Sequence, residues 1–121
     1  MSIPLLICDD SAMARKQVKR SLPEDWDVAV TMATNGVEGM EAIRAGQGEM
    51  VFLDLTMPEL DGYGVLQAIK EEGHKCIVIV ISADIQPEAR ERVMALGALD
   101  FIKKPVDGKK LQDVLRKYGL I

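Results

Sequence analysis

Thiol and imidazole groups are scarce in this chain, which carries two cysteines and one histidine in 121 residues. Cys8 and Cys76 lie in or beside apolar runs with no metal-ligand spacing, and they read as reduced, buried thiols. His74 stands in a Glu-Glu-Gly-His-Lys segment and reads as a solvated loop residue. Without a cysteine or histidine cluster there is no basis for a zinc centre. Long apolar runs are missing too: nothing approaches the roughly 18 residues of a membrane span. The N-terminus has no basic-then-apolar signal pattern, so no membrane and a cytoplasmic location are expected. An excess of basic charge is also lacking, since the net charge is −4, and this argues against direct nucleic-acid binding. No linker, repeat or low-complexity segment interrupts the chain, and residues 1–121 are expected to form a single domain.

What is present is an alternation. Short continuous apolar runs at Leu5–Cys8, Val28–Ala33, Met50–Leu53, Ile77–Ile81 and Ala98–Ile102 read as strands. Between and after them, apolar residues recur at helical spacing. Ser11 can cap a helix with Ala14, Val18 and Leu22 on one face. Asn35-Gly36 reads as a turn before a helix lined by Val37, Met40 and Ile43. Val65, Leu66 and Ile69 mark a third helix, Ala89, Val93 and Leu96 a fourth after Pro87, and Leu111, Val114, Leu115 and Tyr118 a fifth. Strands with no polar alternation suit a parallel sheet covered on both faces. An α/β doubly wound fold of five strands and five helices follows.

In such sheets ligands bind beyond the carboxyl ends of the strands. Asp9, Asp10, Asp54, Ser82 and Lys104 each follow or end an apolar run there. Taken singly they have plain readings, as helix caps or as a solvated lysine. Together they would bring three carboxylates, a hydroxyl and an ammonium to one edge. Three clustered carboxylates repel, and oxygen-only ligands suit a hard cation such as Mg2+. A carboxylate can attack phosphorus to give an aspartyl phosphate, while Mg2+ and Lys104 would offset charge on the phosphoryl oxygens and the Ser82 hydroxyl would donate to one.

Cys8-Asp9-Asp10-Ser11, Phe52-Leu53-Asp54-Leu55-Thr56-Met57-Pro58 with Asp61-Gly62, Ser82-Ala83 and Lys103-Lys104-Pro105 resemble the receiver domain of bacterial two-component response regulators, chemotaxis regulators among them. The flavodoxin-like strand order 2-1-3-4-5 is the one this family illustrates, so it is implied by the resemblance. So are the roles. Asp54 is the expected phospho-acceptor. Asp10, Asp54 and the backbone carbonyl of Thr56 would hold Mg2+, with Asp9 direct or through water. Lys104 would contact the phosphoryl group, and Lys104-Pro105 is expected to be cis. Ser82 and Phe101 would form the switch, and Thr56 and Asp84 would tune the phosphate's lifetime. The implied partners are a sensor histidine kinase or histidine phosphotransfer protein, an output protein or C-terminal output domain, and a phosphatase. Basic residues on the first helix (Arg15, Lys16, Lys19, Arg20) and the last (Lys109, Lys110, Arg116, Lys117) read as solvated faces or as docking surfaces.

The protein is expected to be a switch with only slow self-phosphorylation and self-dephosphorylation chemistry, and not an enzyme. Competing readings are a phosphate-independent receiver-like interaction module and a phosphohydrolase. A haloacid-dehalogenase-type hydrolase carries a second aspartate two residues after its nucleophile, where Thr56 stands. A flavin carrier would need a phosphate-cradling loop after the first strand, where Asp9-Asp10 would repel the phosphate. With no output domain after Ile121, either a complete regulator or the N-terminal piece of a longer one is expected.

Overall fold

The computed structural model describes residues 2–84 and 86–121. Its elements, in chain order, are β1 (Ile3–Cys8), α1 (Ala12–Ser21), β2 (Val28–Ala33), α2 (Gly36–Arg44), β3 (Met50–Leu53), α3 (Gly62–Glu72), β4 (Ile77–Ser82), α4 (Pro87–Ala95), β5 (Asp100–Lys103) and α5 (Gly108–Lys117). All neighbouring strands pair in parallel, in the order β2-β1-β3-β4-β5. The flavodoxin-like architecture expected from the sequence is the one observed.

Strand pleating sorts the apolar runs into two cores. Leu6, Cys8, Val51, Leu53, Val78 and Val80 face Met40, Ile43, Val65, Leu66 and Val93 of α2, α3 and α4. Leu5, Ile7, Met50, Phe52, Ile79 and Ile81 face Val18 of α1 and Leu111 and Leu115 of α5. With helices on both faces, neither side of the central strands can tolerate a polar residue, which is why their runs are unbroken. Burying each large side chain contributes on the order of 2 kcal/mol.

The chain winds outward from β1 in both directions, so strand order reverses between β1 and β3. That crevice lies at the carboxyl ends, where Asp9 and Asp54 leave the sheet.

Boundaries differ from the sequence reading in ways that packing explains. β1 starts two residues earlier and includes Pro4, because pairing with β3 begins only at Leu5 and Pro4 has a neighbour on one side alone. β5 starts at Asp100 rather than Ala98, because the Ala98 N–H is held by the Val93 carbonyl at 3.0 Å in the turn leaving α4. Asn35 caps α2 through its side chain, and Gly36 is already helical. A Cβ at Gly36 would collide with the Leu60 carbonyl, so that pair starts a helix packed on a neighbouring loop. Ser11, Asp61 and Asp107 cap α1, α3 and α5 in the same way, each cap contributing about 1 kcal/mol.

Candidate functional site

Four strand ends supply the site. The Asp9 N–H still bonds the Ala33 carbonyl of β2 at 3.1 Å, and the Asp54 N–H bonds the Cys8 carbonyl of β1 at 2.9 Å. Both aspartates are therefore positioned by the sheet itself and are almost fully buried, at 3% and 6% exposure. Asp10, one step further on, is exposed. One carboxylate oxygen from each of Asp9, Asp10 and Asp54 lies within 4.8 Å of the others. On β5's side, the Lys104 N–H bonds the Ser82 carbonyl at 2.8 Å, and Lys104-Pro105 is cis.

Lys104 is the counter-charge. Its Nζ lies 2.8 Å from Asp9 Oδ2 and 3.3 Å from Asp54 Oδ1. Burial alone would pull this ammonium down, but the hydrogen bond to Asp9 and the charges of Asp54 and Asp9 outweigh it and raise its pKa. Burial, then the neighbouring Asp9 charge, raises the Asp54 carboxyl above its ordinary range, with Lys104 opposing them. Burial and the same two aspartates push the Cys8 thiol up to about 12. No thiolate is available, and the donor set is oxygen only. Those donors fit a hard divalent cation such as Mg2+, which binds through a few carboxylates.

The raised pKa of Asp54 has a consequence for stability. A carboxyl whose folded-state pKa exceeds its unfolded value costs stability once ionised, as pH rises through that interval. Below the unfolded value, both states are protonated and the cost is absent. Asp54→Asn is therefore expected to be more stable than wild type by about 1 kcal/mol near pH 7 without divalent cation. The gain should vanish below about pH 4. Thermal melts of both proteins in chelator at the two pH values check this, and a pH-independent difference would count against it.

The other expected residues are arranged as follows. Ser82 is buried, and its Oγ accepts the Asp84 N–H at 3.1 Å, leaving its own proton free to donate. The Asp84 carboxylate accepts the Gln86 N–H at 3.0 Å, while Lys104 pairs with Asp9 and Asp54. Thr56 is exposed on the loop after β3. Phe101 is half-buried against the core under α2–α4, paired across from Val80.

Three contacts go beyond the sequence reading. Arg15 Nη1 donates to the Asp9 carbonyl at 2.7 Å. Gly62 lets the start of α3 press against the backbone of Asp54 and Leu55. Asp100, hidden in an apolar run, is a buried carboxylate that accepts the Phe101 N–H at 2.7 Å and the Tyr118 hydroxyl at 2.9 Å. Periodicity could have flagged Asp100 as a charge at a core position, and Gly62 stands in the Asp61-Gly62 motif, but nothing local marks the reach of Arg15.

Comparison with known proteins agrees with this geometry. Residues 5–116 match the family described as response regulator receiver domain. Chemotaxis protein CheY of Treponema pallidum is 37% identical over 110 residues, covering 88% of this chain and 76% of that protein. The probable C4-dicarboxylate response regulator DctR of Priestia megaterium is 31% identical over 116 residues, 94% of this chain and 50% of that protein. For protein-glutamate methylesterase/protein-glutamine glutaminase 2 of Koribacter versatilis, 38% identity over 112 residues covers 90% of this chain and 31% of that protein. The chain thus spans half or less of the length of these last two relatives. Among solved structures, CheY in the CheX–CheY–BeF3–Mg2+ complex of Borrelia burgdorferi superposes with a TM-score of 0.83 at 32% identity, covering 94% of this chain and 87% of that one. The response regulator domain of Thermotoga maritima CheB gives 0.84 at 25%, covering 100% and 98%. A match that runs from β1 into α5, on a sheet whose carboxyl edge gathers these acids and this lysine, means that the chain belongs to the receiver domain family of two-component response regulators.

Proposed function

We propose that this protein is a Mg2+-dependent phosphoryl switch in which Asp54 is the acceptor. The observation that carries the reading is the pairing of a buried Asp54 with Lys104 at 3.3 Å and an exposed Asp10 in the same cluster. A sheet-fixed carboxylate stands ready as nucleophile, a cation stands beside its oxygen, and one ligand faces solvent where a phosphodonor arrives.

Asp10, Asp54 and the Thr56 carbonyl would hold Mg2+, with Asp9 reached through water because its oxygens are already engaged by Ser11 N–H and Lys104. When bound, Mg2+ supplies positive charge that screens the carboxylates and the phosphoryl oxygens. An Asp54 carboxylate oxygen forms a bond to phosphorus as the P–N bond of a phosphohistidine breaks, and the imidazole nitrogen leaves with the bonding pair. The Lys104 ammonium moves from the carboxylates toward the new phosphoryl oxygens, and the Ser82 hydroxyl donates to one of them. Because the Lys104 N–H is bonded to the Ser82 carbonyl and Ser82 Oγ to the Asp84 N–H, movement of Ser82 drags both loops. Phe101, at the next strand, follows, and the surface around α4, β5 and α5 changes population. Thr56 and Asp84 flank the approach of water and set the adduct's lifetime.

The histidine donor, from a sensor kinase or phosphotransfer protein, would meet α1. There Lys16, Lys19 and Arg20 are exposed, and a cavity of about 290 Å3 opens between Ala14, Val18, Ile81 and Pro105. An output protein or domain would read the switched surface, and a phosphatase would reset it.

Incubation with Mg2+ and acetyl phosphate tests the reading. Wild type is expected to form one acid-stable, base-labile adduct, absent from Asp54→Asn, without continuous turnover. Absence of the adduct in wild type would overturn the proposal, and sustained turnover would point to a hydrolase.

A further inference from the structure

The exposed ligand, Asp10, poses a positioning problem. Among the described residues its carboxylate takes part in no side-chain hydrogen bond or ion pair, unlike Asp9 and Asp54. No side-chain partner therefore holds it, and the backbone that carries it limits where it can reach. The peptide unit joining Asp9 to Asp10 is planar, so the orientation of the Asp9 carbonyl fixes the Asp10 N–H and Cα and thereby the point from which the side chain reaches. The Asp9 N–H is held by β2, but among the described residues no backbone N–H donates to the Asp9 carbonyl. Arg15 does: Nη1 donates to it at 2.7 Å, a short charge-assisted bond. Arg15 is half-buried, and its own N–H bonds the Ser11 carbonyl at 3.0 Å in the first turn of α1. Ser11, in turn, donates its N–H to Asp9 Oδ1 at 2.9 Å and caps the same helix at Ala14. The turn is thus closed on both sides by one helix end.

We propose that Arg15 is a positioning residue for the metal site: bonded to the Asp9 carbonyl, it holds the Asp9–Ser11 turn so that the Asp10 carboxylate faces Asp54. This rests on reading the pocket as a Mg2+-dependent phospho-acceptor. Electrostatics gives the competing account an opposite sign. A guanidinium near a cation site repels the cation, so if Arg15 were only a nearby charge, removing it would tighten Mg2+ binding. If it holds the turn, removing it weakens binding even though the repulsion is relieved.

The test is Mg2+ titration calorimetry on the unphosphorylated chain as wild type, Arg15→Gln and Arg15→Lys, with circular dichroism confirming the fold. The lysine keeps the charge but loses the planar fork that reaches the carbonyl. Both variants are expected to bind Mg2+ more weakly, the glutamine variant by on the order of tenfold. Their adduct formation from acetyl phosphate should recover at saturating Mg2+, which places the defect in binding rather than chemistry. Unchanged or tighter binding in Arg15→Gln overturns the proposal. Should that variant not fold, unchanged binding in Arg15→Lys overturns it equally. If wild type binds Mg2+ but forms no adduct, the phospho-acceptor reading falls while the titration still decides the role of Arg15. If wild type binds no Mg2+, both fall.

Discussion

Gly62→Ala is expected to destabilise the protein by about 3 kcal/mol, lowering its melting temperature by roughly 10 °C, although it adds only a methyl group. A Cβ at Gly62 would collide with the Asp54 carbonyl oxygen and lie 2.7 Å from Leu55 Cα. Both are backbone atoms, so no side chain can rotate away. The closeness is imposed by a hydrogen bond, Gly62 N–H to the Leu55 carbonyl at 2.9 Å, which ties the first turn of α3 to the end of β3. Nor can the helix back off cheaply, because Val65, Leu66 and Ile69 of the same helix are buried in the core. The strain must therefore fall on the segment that carries Asp54. Phosphoryl transfer from a small donor should slow as well, since Asp54 and Lys104 would no longer keep their spacing. Gly108→Ala is the matched control. The nearest atoms to a Cβ there are at 3.6 and 3.9 Å, ordinary contact distances, and the position is the first of α5. That variant should be neutral or stabilised by up to about 1 kcal/mol. Equal melting temperatures for the two alanine variants would refute the close-approach explanation.

Gly62 also shows where sequence reading stops. Apolar runs such as Met50–Leu53 announce buried parallel strands because both faces are covered, so composition alone carries the message. The polar residues at their ends are legible for the same reason: Asp54 is the first charge after a run that tolerates none. Once strand ends are known to share an edge, Asp9, Asp54 and Lys104 can be brought together without coordinates. What periodicity does not encode is which distant backbone meets a given residue. Asn35-Gly36 has the composition of a turn; Asn35 caps α2, and only the Leu60 carbonyl shows why glycine must follow it. Arg15 looks like one of four basic residues on a solvated helix. Its reach to the Asp9 carbonyl depends on how the first turn of α1 folds back over the end of β1. Asp100 was concealed by its apolar neighbours, and its partner Tyr118 lies 18 residues away at the end of α5.

Lys104→Met, close in length but without charge, is expected to cost about 2 to 3 kcal/mol in the absence of divalent cation. Lys104 is the group paired with both Asp9 and Asp54, whose side chains are only 5% and 7% exposed. Removing it leaves two carboxylates within a few ångströms of each other, desolvated and repelling. The cost falls below that of breaking a fully buried pair because the lysine side chain is 24% exposed and water can reach the gap. The pH dependence has a definite sign. The Lys104 pKa is raised in the fold, so its contribution is fully present below the ordinary lysine value and is lost only as pH rises through the raised one. At neutral pH the whole effect should be seen. Toward low pH the gap between variant and wild type should close, because Asp54, its pKa raised by burial and the Asp9 charge, no longer needs a counter-charge once protonated. Mg2+ gives the most direct discrimination. A dication among the carboxylates replaces the missing positive charge, so added Mg2+ should raise the variant's melting temperature far more than wild type's, even as phosphoryl transfer stays impaired for want of the ammonium. Thermal melts of both proteins with and without Mg2+ decide the matter. Equal Mg2+ shifts in the two would mean that Lys104 and the metal do not compensate the same charges, and the electrostatic account of the pocket would have to be abandoned.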